Sequence, residues 1–60
     1  MNIFEEWDAE RRRLIDKVMS KKLRLEKLVR SGAELSEVKT ASRELDELNA
    51  QLVEHEKKAP

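Results

Sequence analysis

Apolar side chains recur along this chain at alternating steps of three and four residues, in two separate runs. The first reads Phe4, Trp7, Leu14, Val18, Leu25 and Leu28, with Arg11 and Lys21 at the two remaining places of the same stripe. The second reads Val38, Ala41, Leu45, Leu48 and Leu52, with His55 next in line. A mean step of about 3.5 residues keeps each set on one side of a helix and turns it toward a partner helix. Each run lasts roughly three to four heptads, enough to predict helix-on-helix packing.

The break between the runs is equally readable. Ser31-Gly32 ends the first, and Lys27 and Arg30 stand in its last turn, where the helix dipole favours cations. Gly32 is the only glycine and occupies the place of a left-handed C-terminal cap. Leu35-Ser36-Glu37 restarts the chain, with Ser36 as the expected cap of the new helix and Glu37 at its positive end. The pattern predicts one all-α domain over residues 1–60: helix one over about 3–31, a turn over about 32–35 and helix two over about 36–57. So short a connection makes the helices antiparallel neighbours, a coiled-coil-like two-helix hairpin.

Folding the chain about Gly32–Glu34 sets the register, with residues whose numbers sum to roughly 67 lying abreast. Leu28 then meets Val38, Leu25 meets Ala41, Val18 meets Leu48 and Leu14 meets Leu52, while Lys21 falls beside Leu45 and Asp46 and reaches toward the latter. Helix one should be longer by about two turns, leaving Ile3, Phe4 and Trp7 overhanging. Large side chains left uncovered predict a covering surface, and two hairpins pairing as a homodimeric four-helix bundle would supply it. Trp7 is equally well read as a partner anchor or as a core residue of that dimer.

Composition narrows the function. Thirteen basic and thirteen acidic residues cancel to a formal net charge of zero, against the basic excess of a nucleic-acid binder. No apolar run approaches the ~20 residues that span a bilayer, and no signal-peptide pattern opens the chain, so no membrane partner and a cytoplasmic address are expected. Cysteine is absent and His55 is the single histidine, which leaves no material for a thiolate or histidine metal centre. His55 reads as a seam-edge residue near a fraying end, and Arg11-Arg12-Arg13, offset by Asp8 and Glu10, as a solvated helical face.

One segment carries more than the heptads require: Ser42-Arg43-Glu44-Leu45-Asp46-Glu47-Leu48. Ser42 and Asp46, four apart, share a helix face, while Leu45 and Leu48 point into the seam. This SRELDEL segment resembles the S-Q-E-L-D signature of the stage-zero sporulation protein E family of aspartyl-phosphate phosphatases, which are short helical hairpins. The family pattern sets a glycine at the turn, a short linker and then the signature, continued by a leucine. Here Gly32 precedes Ser42 by ten residues, with Val38 and Ala41 on the seam between them. The resemblance covers about residues 14–53 and is most specific in helix two; in helix one a basic position is answered by Lys21, and an expected acidic residue near Val18 is missing. The signature's glutamine is Arg43 here.

The resemblance implies a hydrolase that dephosphorylates the aspartyl phosphate of a response-regulator receiver domain, a negative regulator of a phosphorelay such as sporulation initiation. It implies Asp46, Ser42 and Arg43 as the catalytic set, and Lys21, Glu44 and Lys39 as docking residues for the regulator. The hairpin needs no cofactor of its own, because the receiver supplies the Mg²⁺. Asp46 is the group expected to orient the attacking water, with Ser42 holding the geometry. Arg43 differs from an amide in that a guanidinium only donates hydrogen bonds, so its expected part is stabilising charge on the transferring phosphoryl group. The competing class is an adaptor hairpin that docks a partner without chemistry.

Overall fold

In a computed structural model, residues 2–60 describe two helices, α1 over Ile3–Arg30 and α2 over Leu35–Lys57, packed against each other as an antiparallel hairpin. The sequence explains each end. Asn2 is extended and its side-chain oxygen accepts the Phe4 N–H at 2.8 Å, while its carbonyl takes the N–H groups of Glu5 and Glu6. This satisfies donors that have no partner inside the helix. At the other end Gly32 adopts φ 72°, Ala33 N–H donates to the Leu28 carbonyl at 3.0 Å, and Gly32 N–H donates to Val29 at 3.3 Å. That pair of bonds is a Schellman cap, built on the one residue without a Cβ penalty in the left-handed region.

The second helix starts one residue earlier than its sequence predicts, and Ser36 is not its cap. Glu34 is the extended residue at the N-cap position, and its carbonyl accepts from Glu37 and Val38, with no side-chain cap. The chain leaves the glycine turn already aligned for helix at Leu35, which puts Ser36 inside the first turn. There its carbonyl accepts the Thr40 hydroxyl at 3.0 Å. Helix one likewise stops at Arg30, with Ser31 as its cap.

The seam is the one the heptads describe. Trp7, Arg11, Leu14, Val18, Lys21, Leu25 and Leu28 of α1, and Val38, Ala41, Leu45, Leu48, Leu52 and His55 of α2, are all half-buried or buried. Among the described residues, Leu14 and Ala41 are the most enclosed, each 4% exposed. A molecule with extents of 46 × 15 × 10 Å is one helix thick, so it has a contact line in place of an interior.

The open end differs from expectation. Ile3 and Phe4 do extend past the partner helix and are 65% and 56% exposed, but Trp7 does not overhang. Its ring stacks on His55 with centroids 5.2 Å apart and planes 11° from parallel. The indole Nε1–H donates to the His55 carbonyl at 3.0 Å, and His55 Nε2 lies 2.8 Å from the Trp7 carbonyl oxygen. A carbonyl only accepts, so His55 carries its hydrogen on Nε2. The His55 carbonyl, in the last turn of α2, also accepts the Lys58 N–H at 3.1 Å, and the indole takes its second lone pair.

Candidate functional site

The sequence places Ser42, Arg43, Glu44 and Asp46 within little more than one turn of α2, and the seam decides where each points. Leu45 and Leu48 are held against α1, so the residues beside them fall to either flank. At about 100° per residue, Glu44 and Asp46 lie about 160° apart around the helix, one on each side of the contact line. Ser42 and Lys39 fall on the Asp46 flank. Arg43 points away from the seam and is exposed.

This geometry divides the predicted set. Lys21 Nζ lies 2.6 Å from a Glu44 carboxylate oxygen, with both side chains more than a third exposed. The hydrogen bond from Lys21, together with its charge and those of Arg24 and Arg43, holds the Glu44 carboxyl below the usual carboxylate range. The expected reach of Lys21 toward Asp46 is therefore not made: Asp46 is on the wrong flank. The register itself survives, because Glu44 is only two residues from Asp46 and the hairpin is offset by about two positions from the sum used to predict it. Lys21 and Glu44 form a half-exposed cross-helix tie, of the kind that contributes little to stability.

Asp46 is exposed and takes part in none of the ion pairs among the described residues, which join Arg12 to Asp8, Arg13 to Glu10, Lys21 to Glu44 and Lys57 to Glu54. Half-buried Ser42 stands one turn before it on the same flank. Lys39 is exposed one turn further toward the hairpin bend. The arrangement is a free carboxylate and a neighbouring hydroxyl on a helix fixed by its seam, open to solvent and without walls. Such a surface cannot enclose a small substrate, but it can be presented to a pocket on another molecule.

A groove runs along the opposite side, between Arg13, Lys17 and Lys21 of α1 and Glu44, Glu47 and Gln51 of α2. Of its charged side chains, Lys21 is paired with Glu44 across it and Arg13 with Glu10. Among the described residues no group of three or more His, Cys, Asp or Glu side chains is placed to hold a metal ion, and no helix is long and apolar enough to cross a membrane. The pairing of Trp7 with His55 is the contact that sequence reasoning missed. The signal was present, since both residues lie on the two heptad stripes. No family model, curated protein or solved structure matches this chain.

Proposed function

We propose that this hairpin dephosphorylates the aspartyl phosphate of a response-regulator receiver domain, as a negative regulator of a phosphorelay such as the one that starts sporulation. The observation that carries the reading is Asp46: an unpaired, exposed carboxylate within SRELDEL, at the family's distance from the glycine turn, on a helix whose other side is locked to α1. The receiver provides the acyl phosphate and its Mg²⁺, and a cytoplasmic setting goes with that partner. Asp46 accepts a hydrogen bond from a water and aims its oxygen at phosphorus. As the water oxygen bonds to phosphorus, the bond from phosphorus to the aspartyl oxygen breaks and its electron pair returns to the receiver's carboxylate. The water's proton leaves through Asp46 or remains on the inorganic phosphate.

Ser42 hydrogen-bonds on the same flank and fixes the approach. Arg43 donates to the phosphoryl oxygens as charge gathers there, in place of an amide that would engage the water. Lys39, beside Ser42, suits docking to the acidic rim of a phosphorylated receiver. Lys21 and Glu44 support the site from the far flank by tying the helices together.

Hydrolysis of phosphorylated receiver domains, with and without the hairpin, tests the reading. Faster loss of phosphate with the wild-type chain, abolished by Asp46→Ala in a protein of unchanged helicity, supports it. Binding of a receiver without faster hydrolysis supports the adaptor reading, which Arg43 favours because it lacks the acceptor of the family's glutamine.

A further inference from the structure

Asp46 belongs to a face that α1 also builds. On the side of the Lys21–Glu44 tie, α1 lines the groove with Arg13, Lys17 and Ser20. Ile15 and Met19, two residues either side of Lys17, leave the helix about 160° around from it. They therefore emerge on the side where Asp46 leaves α2. The tie also fixes how far along the hairpin each residue stands. From Lys21 and Glu44, Met19 and Asp46 each lie two residues nearer the open end, and so they are abreast. With helix axes about 8–10 Å apart, they border one face from opposite helices.

That face carries two apolar patches, and Asp46 stands between them. Toward the open end are Met19 and Val53, 59% and 51% exposed, with half-buried Ile15 beside them. Toward the turn are Val29 and Leu35, 60% and 67% exposed. The Arg12–Asp8 ion pair edges the face at its open end. Nearer the middle, Lys22 and Lys39 enter no ion pair among the described residues. The groove side has no such patches, for its rims are Arg13, Lys17, Glu47 and Gln51.

We infer that α1 docks the receiver together with the signature helix, and that Met19 is the apolar anchor beside Asp46. The identity of the partner rests on the proposed function. Continuity with Asp46 decides the occupant: a surface that brings a phosphoryl group to Asp46 also lies across Met19. A carboxylate on a wall-less face enters a neighbour's pocket only when the surface around it is covered as well. Covering Met19 and its neighbours takes apolar area out of water, a gain that exposed charges do not provide. The same cover keeps bulk water from the acyl phosphate, so the water that reacts is the one Asp46 holds. A thioether side chain is apolar and flexible, which lets Met19 follow the rim of a pocket. Lys22 and Lys39 complement the negative charge of the phosphoryl group.

Met19 is exposed, so its substitution probes contact without disturbing the seam. The probe is a panel of receiver domains loaded with Mg²⁺ and beryllofluoride, a stable mimic of the acyl phosphate, titrated with the whole chain. Met19→Gln should weaken binding about tenfold at unchanged helicity and melting, and Met19→Leu should keep it. Lys17→Gln, on the groove side, should bind as the wild type does. In turnover the Met19→Gln loss should fall on KM with kcat nearly intact, whereas Asp46→Asn should lose kcat. Wild-type affinity in Met19→Gln overturns the inference, as does an equal loss in Lys17→Gln. Sedimentation that shows Met19→Gln changing only the association of the chain with itself assigns the face to a second copy and also overturns it. Affinity that depends on Met19 without faster hydrolysis leaves the docking contact standing and defeats the phosphatase reading alone. Faster hydrolysis that Met19→Gln does not slow defeats the contact alone, and binding to no receiver of the panel defeats both.

Discussion

Trp7 and His55, separated by 48 positions in the chain, close the open end of the hairpin with a reciprocal pair of hydrogen bonds and a stacked face. The clamp is made by two side chains on two backbone carbonyls, so either residue can be changed without touching the rest of the seam. Trp7→Phe keeps the ring and removes the indole donor. It should cost about 0.5–1.5 kcal/mol. His55→Ala removes both the stack and the Nε2–H and should cost more. Thermal unfolding followed by circular dichroism checks the order, and the His55→Ala protein should also show a red-shifted tryptophan emission as Trp7 meets water.

Acid should loosen the middle of the hairpin through Glu44. Its carboxyl is held below the ordinary value of 4.5 by the Lys21 ammonium. The unfolded chain therefore binds protons more readily than the folded one in this range. The tie's contribution is complete above the unfolded value and is lost as pH falls through the folded one. Glu10, held low by Arg13, acts in the same direction. Melting temperatures of wild type and Glu44→Gln, compared from neutral pH down to pH about 3, should differ at the neutral end and converge at the acid end. High salt should narrow the neutral-end gap, since both partners are partly open to solvent.

Substitutions at Leu14 and Asp46 should fail in opposite ways. Leu14 is one of the two buried hydrophobic side chains among the described residues, and its truncation to alanine should cost about 2–5 kcal/mol. That is a large part of the whole stability of so small a domain, so helicity should collapse with it. Asp46→Ala or Asp46→Asn should leave melting within about 0.5–1 kcal/mol of wild type. If Asp46 works as proposed, receiver dephosphorylation should still fall by about tenfold or more, the scale of a positioned proton-handling group. Arg43→Gln should raise the rate by restoring an acceptor beside the water. Full activity in a folded Asp46→Ala protein takes Asp46 out of the mechanism.

Gly32 offers a test of the turn. At φ +72° an added Cβ would meet nothing within 4 Å, so the penalty for Gly32→Ala is conformational and not steric crowding. It should cost about 1–2 kcal/mol, while Gly32→Asn should cost less, because asparagine tolerates the left-handed region. Chemical denaturation of the three proteins at matched concentration orders them.

The seam was legible because heptad spacing depends only on which residues are apolar, and even the charged places, Arg11 and Lys21, fall where the pattern puts them. The turn was legible because one glycine sits between two cation-ended and acid-started segments. Side-chain partners were less so. Lys21 has Glu44 and Asp46 within reach along the axis, and only the direction each leaves the helix decides between them. Treating Asp46 as a seam neighbour ignored that residues two apart fall on opposite flanks. Trp7 was misjudged for a related reason: comparing helix lengths counts backbone rise, whereas a tryptophan ring and a histidine ring together bridge the remaining gap. Ser36 was misjudged because a capping side chain is a local preference, and the glycine turn had already committed the backbone at Glu34.

The hairpin's single turn also orders its assembly in time. The Schellman turn brings Leu28 and Val38 together across only a short loop, and each further heptad contact then closes a loop already shortened by the last, a small added entropy cost. Pairing should therefore proceed outward like a fastener from Gly32, with the Trp7–His55 clamp the last tooth to engage. On unfolding the same end opens first. The one tryptophan is thus stationed where closure finishes, and its fluorescence should lag the helical signal on folding and lead it on unfolding.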